Sequence, residues 1–259
     1  MTVGAVAQAT ETERPIDCEA WSVRQLLARQ KSQVHRLVRP QPPTDQVVGP
    51  TWYVPGEVVG GATREDEVFG IYDESGQWSR RCPYGGPGTT LWVREPFRLP
   101  HWARDTGPEE FARRWEDEEG WILQYVADQH SPCASVYAEA QDWGDRHAPR
   151  AMPKAFCRLE VAVDEVQLRR LEDLSAVDVY RAGIRLGENN GLESNGTYNK
   201  RTIEERSWEL LHDYQRRWEQ RYGSGAWDPE SWVWKVQGSV KTQRETNGAV
   251  ERNGRHLAG

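Results

Sequence analysis

The residues best suited to chemistry lie in one basic stretch near the start of the chain, at positions 24–39, which reads RQLLARQKSQVHRLVR. This stretch contains no acidic residue, although the whole chain has a formal net charge of -7. Its five cations are Arg24, Arg29, Lys31, Arg36 and Arg39. Because clustered cations attract phosphate and hold it through charge-assisted hydrogen bonds, the stretch predicts a binding site for an anionic ligand.

Two elements must position these cations. Trp21 and Leu27 are apolar residues with the spacing of one helix face. Ser22 is a residue type that commonly caps the start of a helix. From Ser32 onward, successive residues alternate between two faces, which predicts a strand. Lys31 and Ser32 therefore fall at the turn between helix and strand, where carbonyl groups and side chains can converge on a ligand.

A second set of candidates follows the glycine-rich segment CPYGGPG, in the predicted strand Leu91-Trp92-Val93-Arg94-Glu95. Arg94 is a candidate for a phosphate or base contact, because its planar guanidinium suits bidentate binding. Glu95 fits two roles equally, a hydrogen bond to a base edge or a cap on a neighbouring amide. Trp92 fits either a stacking platform or the core. Arg94 and Glu95 point to opposite faces of an ideal strand, so only a twist or a bulge would let both line one cleft.

Composition limits the class of protein. Only 37% of the 259 residues are hydrophobic and the mean hydropathy is -0.83, although thirteen tryptophans offer large buried areas. No apolar run approaches the length of a membrane span. The four cysteines and six histidines show no metal-ligand spacing, and no signal peptide is recognisable, so we expect free thiols in the cytoplasm, with no metal and no cofactor.

The order of elements predicts an α+β fold, either a small β-barrel or a curved mixed sheet flanked by helices. We expect one domain over 14–240, with insertions at 44–81 and 98–150, between disordered tails at 1–13 and 241–259. Ser175 and Asp178 have the spacing of a capping box, opening a short helix that Gly183 ends. A long helix is predicted from Thr202 to Gly223, and a final strand over 232–236.

Five segments in order carry a resemblance to a known family. They are QLLARQKSQVHR, CPYGGPGTTLWVRE, Met152-Pro153-Lys154, LEDLSAVDVYRAGI and WDPESWVW. This succession resembles the ASCH domain family of the PUA-like fold, in its bacteriophage form, over residues 14–43, 82–97, 121–128 and 151–237. The resemblance implies a barrel with a cleft beside the helix–strand turn, and binding of RNA or a modified nucleotide, with DNA possible.

The family signature Gly-x-Lys-Thr-x-x-x-Arg is matched in part. Lys31 keeps the lysine, Ser32 replaces the threonine and Arg36 keeps the arginine under the phage-type spacing, while Arg29 stands for the glycine. One branch of the family hydrolyses acetylated cytidine and needs a further threonine and a glutamate. Val34 and Ala182 stand at those positions here, and they offer neither a nucleophile nor a base.

Three functions remain open from the sequence. The favoured one is a binding module whose ligand contacts are Lys31, Ser32, His35, Arg36, Trp92, Arg94, Glu95 and Lys154. The second is an enzyme acting on a modified nucleoside, with Lys31 as catalytic residue and Glu95 or Asp178 as acid or base. The third is a phage–host interaction module that uses the acidic segment 105–119. Three of these cations also have an alternative role that involves no ligand. Lys31 fits a lysine at a helix end, Arg36 a surface ion pair, and Lys154 a solvated side chain.

Overall fold

The computed structural model describes residues 12–114, 123–128, 143–185 and 200–243. The strands in these ranges are β1 (Glu13–Asp17), β2 (Gln33–Leu37), β3 (Val47–Tyr53), β4 (Val68–Asp73), β5 (Ser79–Arg81), β6 (Thr90–Arg94), β7 (Phe97–Pro100), β8 (Gln124–Tyr125), β9 (Trp143–His147), β10 (Leu159–Arg170) and β11 (Trp232–Gln243). The helices are α1 (Ala20–Leu27), α2 (Pro55–Val58), α3 (Pro108–Arg114), α4 (Ala176–Arg181), α5 (Lys200–Glu205) and α6 (Ser207–Tyr222).

The strands form three sheets. One has five strands in the order β1-β6-β10-β11-β2, and the other two have the orders β3-β4-β5 and β8-β7-β9. The α+β class predicted from the sequence is therefore confirmed. Within the described ranges no sheet closes into a barrel. No helix in the same ranges is long and apolar enough to cross a membrane.

Contacts divide the chain into two compact units. The first contains Gln25–Trp92 and Glu160–Lys241 together with the chain up to Ile16. The second contains Asp17–Arg24 and Val93–Leu159 together with the chain from Thr242.

In the first unit, the pairing of β2 with β11 decides which side chains share a face. The two strands are antiparallel, and His35 lies opposite Lys235 while Gln33 lies opposite Gln237. Because side chains alternate along a strand, these four polar residues point to the same side of the sheet. Trp234 and Val236 point to the other side and are buried.

Helix α4 forms as the sequence predicts. The Ser175 hydroxyl accepts a hydrogen bond from the Asp178 amide at 3.2 Å, and the Asp178 carboxylate accepts one from the Ser175 amide at 3.1 Å. This is a complete capping box. Gly183 follows with φ +95, a backbone conformation that glycine adopts readily, and the chain leaves the helix there.

Three element boundaries differ from the sequence-based prediction. Helix α1 begins at Ala20, so the predicted cap at Ser22 was wrong, and Ser22 lies buried inside the helix. The predicted long helix is divided at Arg206, whose φ of -110 is not helical, into α5 and α6. Strand β11 continues to Gln243, well past the predicted end. Gly238 allows this, because a Cβ there would lie 2.4 Å from the Ala162 carbonyl oxygen.

The second unit has its own core, built from β7, β8, α3 and short 3-10 turns. Eight buried residues form it: Phe97, Leu99, Ala103, Phe111, Ala112, Tyr125, Met152 and Phe156. Helix α3 thus buries Phe111 and Ala112 within the acidic segment 105–119. The rest of that segment, from position 115, and the first two residues of the range 121–128 lie outside the described residues.

Candidate functional site

The turn between α1 and β2 packs against the end of α4. Lys31 is only 6% exposed, and its Nζ donates a hydrogen bond of 2.6 Å to the Ala182 carbonyl. Ser32 is exposed, and its amide donates to the Arg181 carbonyl at 2.9 Å. The predicted position of Lys31 and Ser32 at a helix–strand turn is confirmed, with the lysine pointing inward.

A buried polar cluster surrounds His35; its members are Lys31, Gln33, His35, Asp178, Tyr214 and Lys235. His35 Nδ1 and the Tyr214 hydroxyl share a hydrogen bond of 2.9 Å, and His35 Nε2 lies 3.3 Å from Gln33 Oε1. Because an amide oxygen only accepts, Nε2 carries the hydrogen and Nδ1 accepts from the tyrosine. The imidazole is therefore held in its neutral form.

Charge in the polar cluster agrees with this tautomer. Burial, reinforced by the positive charge of Lys31, lowers the pKa of His35 to about 3. Lys235 forms an ion pair with Asp178 at 2.5 Å. Burial alone would raise the pKa of Asp178, but hydrogen bonds from Lys235 and Ser175 lower it to about 2. The carboxylate is therefore ionised and the imidazole neutral at pH 7.

Arg36, the neighbour of His35, belongs to a different environment. It is half-buried, and its Nη1 donates to the His35 carbonyl at 3.0 Å. Burial raises the pKa of Tyr84 to about 12, and the positive charge of Arg36 is the largest of the effects that oppose this rise, with Arg221 also contributing. Tyr84 thus experiences the positive charges of Arg36 and Arg221.

Tyr222 completes this arrangement. Its ring lies 5.3 Å from the Arg39 guanidinium carbon and 5.7 Å from that of Arg221, both within the range of cation–π attraction. Its hydroxyl accepts a hydrogen bond of 3.4 Å from the Leu37 amide. We call the five residues Arg36, Arg39, Tyr84, Arg221 and Tyr222 the arginine–tyrosine group.

The arginine–tyrosine group has the chemistry of a nucleotide site. Guanidinium forks match the oxygens of a phosphate, and they also stack on flat rings. Both tyrosines are partly exposed. Arginines beside an aromatic ring, as Arg39 and Arg221 lie beside Tyr222, have the chemistry to bind a phosphate and a base in the same place.

The remaining predicted site residues lie elsewhere. Trp92 is half-buried in the first unit, where it pairs with Glu160 of β10. In the second unit, Arg94 forms an ion pair of 2.6 Å with Asp17. Lys154 is exposed and opens a 3-10 turn.

Glu95 is fully buried in the second unit, where it forms an ion pair with Arg158. Arg158 donates to its two carboxylate oxygens at 2.7 and 2.8 Å, and also binds Asp128 at 2.8 and 3.0 Å. The Arg158 guanidinium lies 3.9 Å from the Tyr125 ring centre. Burial raises the pKa of Glu95, while the hydrogen bonds from Arg158 oppose that rise. The structure thus places Glu95 with an arginine that neutralises its charge.

Sequence reasoning did not identify most partners of Arg36 and His35. Tyr84 lies in the CPYGGPG segment that carried the resemblance, but nothing marked its ring as functional. Arg221 and Tyr222 end the predicted long helix and Tyr214 lies within it, but no local pattern marked these side chains for a site. Tyr214 and Lys235 meet His35 only when α6 and β11 fold against β2.

Comparison with protein-family models, with curated proteins and with solved structures found no match to this chain. Among the described residues, no group of three or more His, Cys, Asp or Glu side chains is arranged to hold a metal ion.

Proposed function

We propose that this chain is a binding module for RNA or a modified nucleotide, related to the ASCH domains of the PUA-like fold, and that its contacts are made by the arginine–tyrosine group. One observation carries the proposal: the guanidinium groups of Arg39 and Arg221 lie within cation–π range of the partly exposed Tyr222 ring, on a chain of net charge -7. We propose that the chain meets this ligand in the cytoplasm of a bacterium or of a phage-infected host.

The mode of binding follows from these side chains. Arg36 and Arg221 bind phosphate oxygens, and the exposed part of Tyr222 stacks on a base. Arg39, already near the ring of Tyr222, adds positive charge to the same surface. DNA would be bound through the same phosphate and stacking contacts, and a preference for RNA would come from hydrogen bonds to the 2′-hydroxyl.

The double variant Arg36→Gln/Arg221→Gln tests the proposal. We expect it to lose most binding of uridine monophosphate and of a single-stranded RNA hexamer, measured by calorimetry and fluorescence anisotropy. Arg216→Gln is the control for loss of one positive charge, because Arg216 is at an exposed position of α6, where it pairs with Asp213. The proposal fails if the double variant binds both probes as the wild type does, or if the wild type binds neither.

A second candidate function is hydrolysis of an acylated nucleoside. It is favoured by one observation, the burial of Lys31 in a cluster that also contains the carboxylate of Asp178. Val34 and Ala182 are both buried and supply neither a hydroxyl nor a carboxylate. Incubation with acetylated nucleosides, followed by mass spectrometry, tests this candidate. Deacetylated product that disappears in Lys31→Met would support an enzyme, and absence of product from the wild type would exclude these substrates.

A further inference from the structure

Two arginines face each other across the three-stranded sheet of the second unit. Strand β7 lies between β8 and β9, and Arg98 of β7 is directly opposite Arg146 of β9. Opposite residues of an antiparallel pair point to the same face, with Cβ atoms about 4.5–5.5 Å apart. The backbone register therefore places two positively charged side chains next to each other on one face of this sheet.

A bulge in β9 determines where the Arg98 guanidinium lies. The register shifts between Arg98 and Pro100, so β9 contains one extra residue, at Gly144 and Asp145. Arg98 Nη1 donates a hydrogen bond of 2.9 Å to the Gly144 carbonyl. The Arg98 guanidinium is thus held over β9, the strand that carries Arg146.

Carboxylates compensate only part of this positive charge. Among the described residues, the partner of Arg98 is a carbonyl rather than a carboxylate, and its buried Nε has no hydrogen-bond partner. Arg146 reaches one carboxylate, that of Glu19, at 3.7 Å, and both of these side chains are half-exposed. In the same ranges Asp145 forms no ion pair with either arginine. Like charges directly opposite each other destabilise a sheet, and an anion that binds both guanidinium groups removes that cost.

The surroundings of the two arginines match a phosphate group. Arg98 is partly exposed and Arg146 is exposed, so solvent reaches both side chains. Gln124 of β8 lies opposite Arg98 on its other side and therefore shares the face of the two arginines. Trp143 lies opposite Pro100, two positions along β7 from Arg98, and is also on this face. Guanidinium donors match phosphate oxygens, and an amide side chain can donate to the same group.

We infer that Arg98 and Arg146 form a second anion site, which binds a phosphate group through both guanidinium groups with Gln124 beside it. The site goes beyond the proposed function, because it lies in the second unit and shares no residue with the arginine–tyrosine group. The phosphate belongs either to a small compound or to a nucleic-acid strand. The contact of Arg146 with Glu19 is exposed and weak, so the bound phosphate replaces it.

Arg146→Gln, added to the Arg36→Gln/Arg221→Gln protein, tests this inference. The first two substitutions remove the other proposed site, so calorimetry with pyrophosphate and with the RNA hexamer then reports on the second unit. We expect Arg146→Gln to lower the affinity for the probe that binds about tenfold, as for the loss of one charge-assisted contact. Arg150→Gln is the matched control, because it removes one positive charge from an exposed position of the same unit.

Thermal unfolding gives a second measurement on the same proteins. A ligand that binds only the folded chain raises the melting temperature. We expect pyrophosphate to raise it in the Arg36→Gln/Arg221→Gln protein and in its Arg150→Gln derivative, and to raise it less in the Arg146→Gln derivative. Arg98→Lys keeps the charge but loses the planar fork, and we expect it to weaken binding as well.

The probes distinguish the two sources of phosphate. Binding of pyrophosphate shows that a small phosphate compound is sufficient, and binding of the hexamer alone indicates a strand; each supports the site when Arg146→Gln weakens it and Arg150→Gln does not. The inference is overturned if the Arg36→Gln/Arg221→Gln protein binds neither probe, or if its Arg146→Gln and Arg150→Gln derivatives bind equally well. The proposed function is judged separately, by the binding that the wild type loses on Arg36→Gln/Arg221→Gln substitution.

Discussion

Neighbouring side chains of β2 have opposite environments. His35 is buried beside Tyr214 and Gln33, whereas Arg36 is half-buried and donates a hydrogen bond to the His35 carbonyl. This separation follows from the alternation of a strand, which sends successive side chains to opposite faces. The polar cluster therefore lies on the His35 face of β2, and the Arg36 side chain belongs to the other face.

The buried imidazole predicts a specific dependence of stability on pH. Burial lowers the pKa of His35 from its ordinary 6.5 to about 3, so the unfolded chain binds the proton first as the pH falls. Its contribution to the free energy of unfolding is complete above about pH 6.5 and decreases as the pH falls towards 3. Between pH 6 and 4 we expect a loss of about 1 kcal/mol per pH unit.

His35→Asn provides the comparison for this prediction. Urea unfolding of the wild type and of His35→Asn at several pH values gives the pH dependence of the free energy of unfolding for each. Because both proteins carry the same carboxylates, the difference between the two slopes belongs to His35. Asp178 contributes only at lower pH, since its own pKa is about 2. Equal slopes in the two proteins between pH 6 and 4 would show that His35 is not buried in its neutral form.

The ion pair of Glu95 and Arg158 predicts a large loss of stability when one partner is neutralised. Glu95→Gln leaves a buried guanidinium with only part of its compensation, and we expect a loss of about 3 kcal/mol in the free energy of unfolding. Glu110→Gln is the control in the same unit, because its pair with Arg114 is exposed and contributes at most about 0.5 kcal/mol. Similar losses in both variants, measured by urea unfolding, would contradict the buried pairing.

At the scale of elements, helix α4 holds the site region together although it is only six residues long. The carbonyls of Arg181 and Ala182, at its end, accept hydrogen bonds from Ser32 and Lys31, and Asp178 on the same helix binds Lys235. Helix α4 thus connects the helix–strand turn to β11. A helix this short is marginal by itself, so it depends on its cap and on these contacts.

Ser175→Ala tests the dependence of α4 on its cap. Loss of the hydroxyl removes the acceptor for the Asp178 amide, and we expect the free energy of unfolding to fall by about 1 kcal/mol. Ser239→Ala, at an exposed position of β11, should change it by less than about 0.5 kcal/mol. Thermal or urea unfolding measures both. A Ser175→Ala protein as stable as the control would mean that the capping box does not stabilise α4.

At the scale of the whole molecule, net charge and local charge have opposite signs. The chain carries -7, yet the arginine–tyrosine group concentrates positive charge in the first unit. A negative net charge discourages indiscriminate contact with polyanions, while a local positive potential directs one polyanion to one place. Binding of nucleic acid should therefore be specific in location and sensitive to salt.

Salt dependence provides a count of the phosphates contacted. For a single strand, the logarithm of the binding constant falls with the logarithm of salt concentration by about 0.7 for each phosphate neutralised. For the RNA hexamer we expect the binding constant of the wild type to fall as the salt concentration rises. In Arg36→Gln/Arg221→Gln the slope of this logarithmic plot should be smaller in magnitude by about 0.7. Anisotropy titrations at several salt concentrations measure it, and a slope near zero in the wild type would contradict phosphate contacts.

Much of the local structure was predictable from sequence because it depends on neighbours in the chain. The turn at Lys31 and Ser32, the capping box of Ser175, and the helix end at Gly183 all follow rules that act over a few residues. The alternation of β6 is equally local, and the burial of Leu91 and Val93 with Glu95 confirms the predicted face. Such features are set by backbone hydrogen bonding and periodicity, which the order of residues contains directly.

Amino-acid order alone thus determined the α+β class, the helix–strand turn and the basic character of positions 24–39. Tertiary structure alone decided that Arg39 meets Tyr222, that His35 meets Tyr214, and that Glu95 is paired with Arg158. Strands far apart in the chain are neighbours in the five-stranded sheet, in the order β1-β6-β10-β11-β2. The reason is physical: contacts between distant segments depend on which sheets and helices bury each other, and no local pattern of residues specifies that choice.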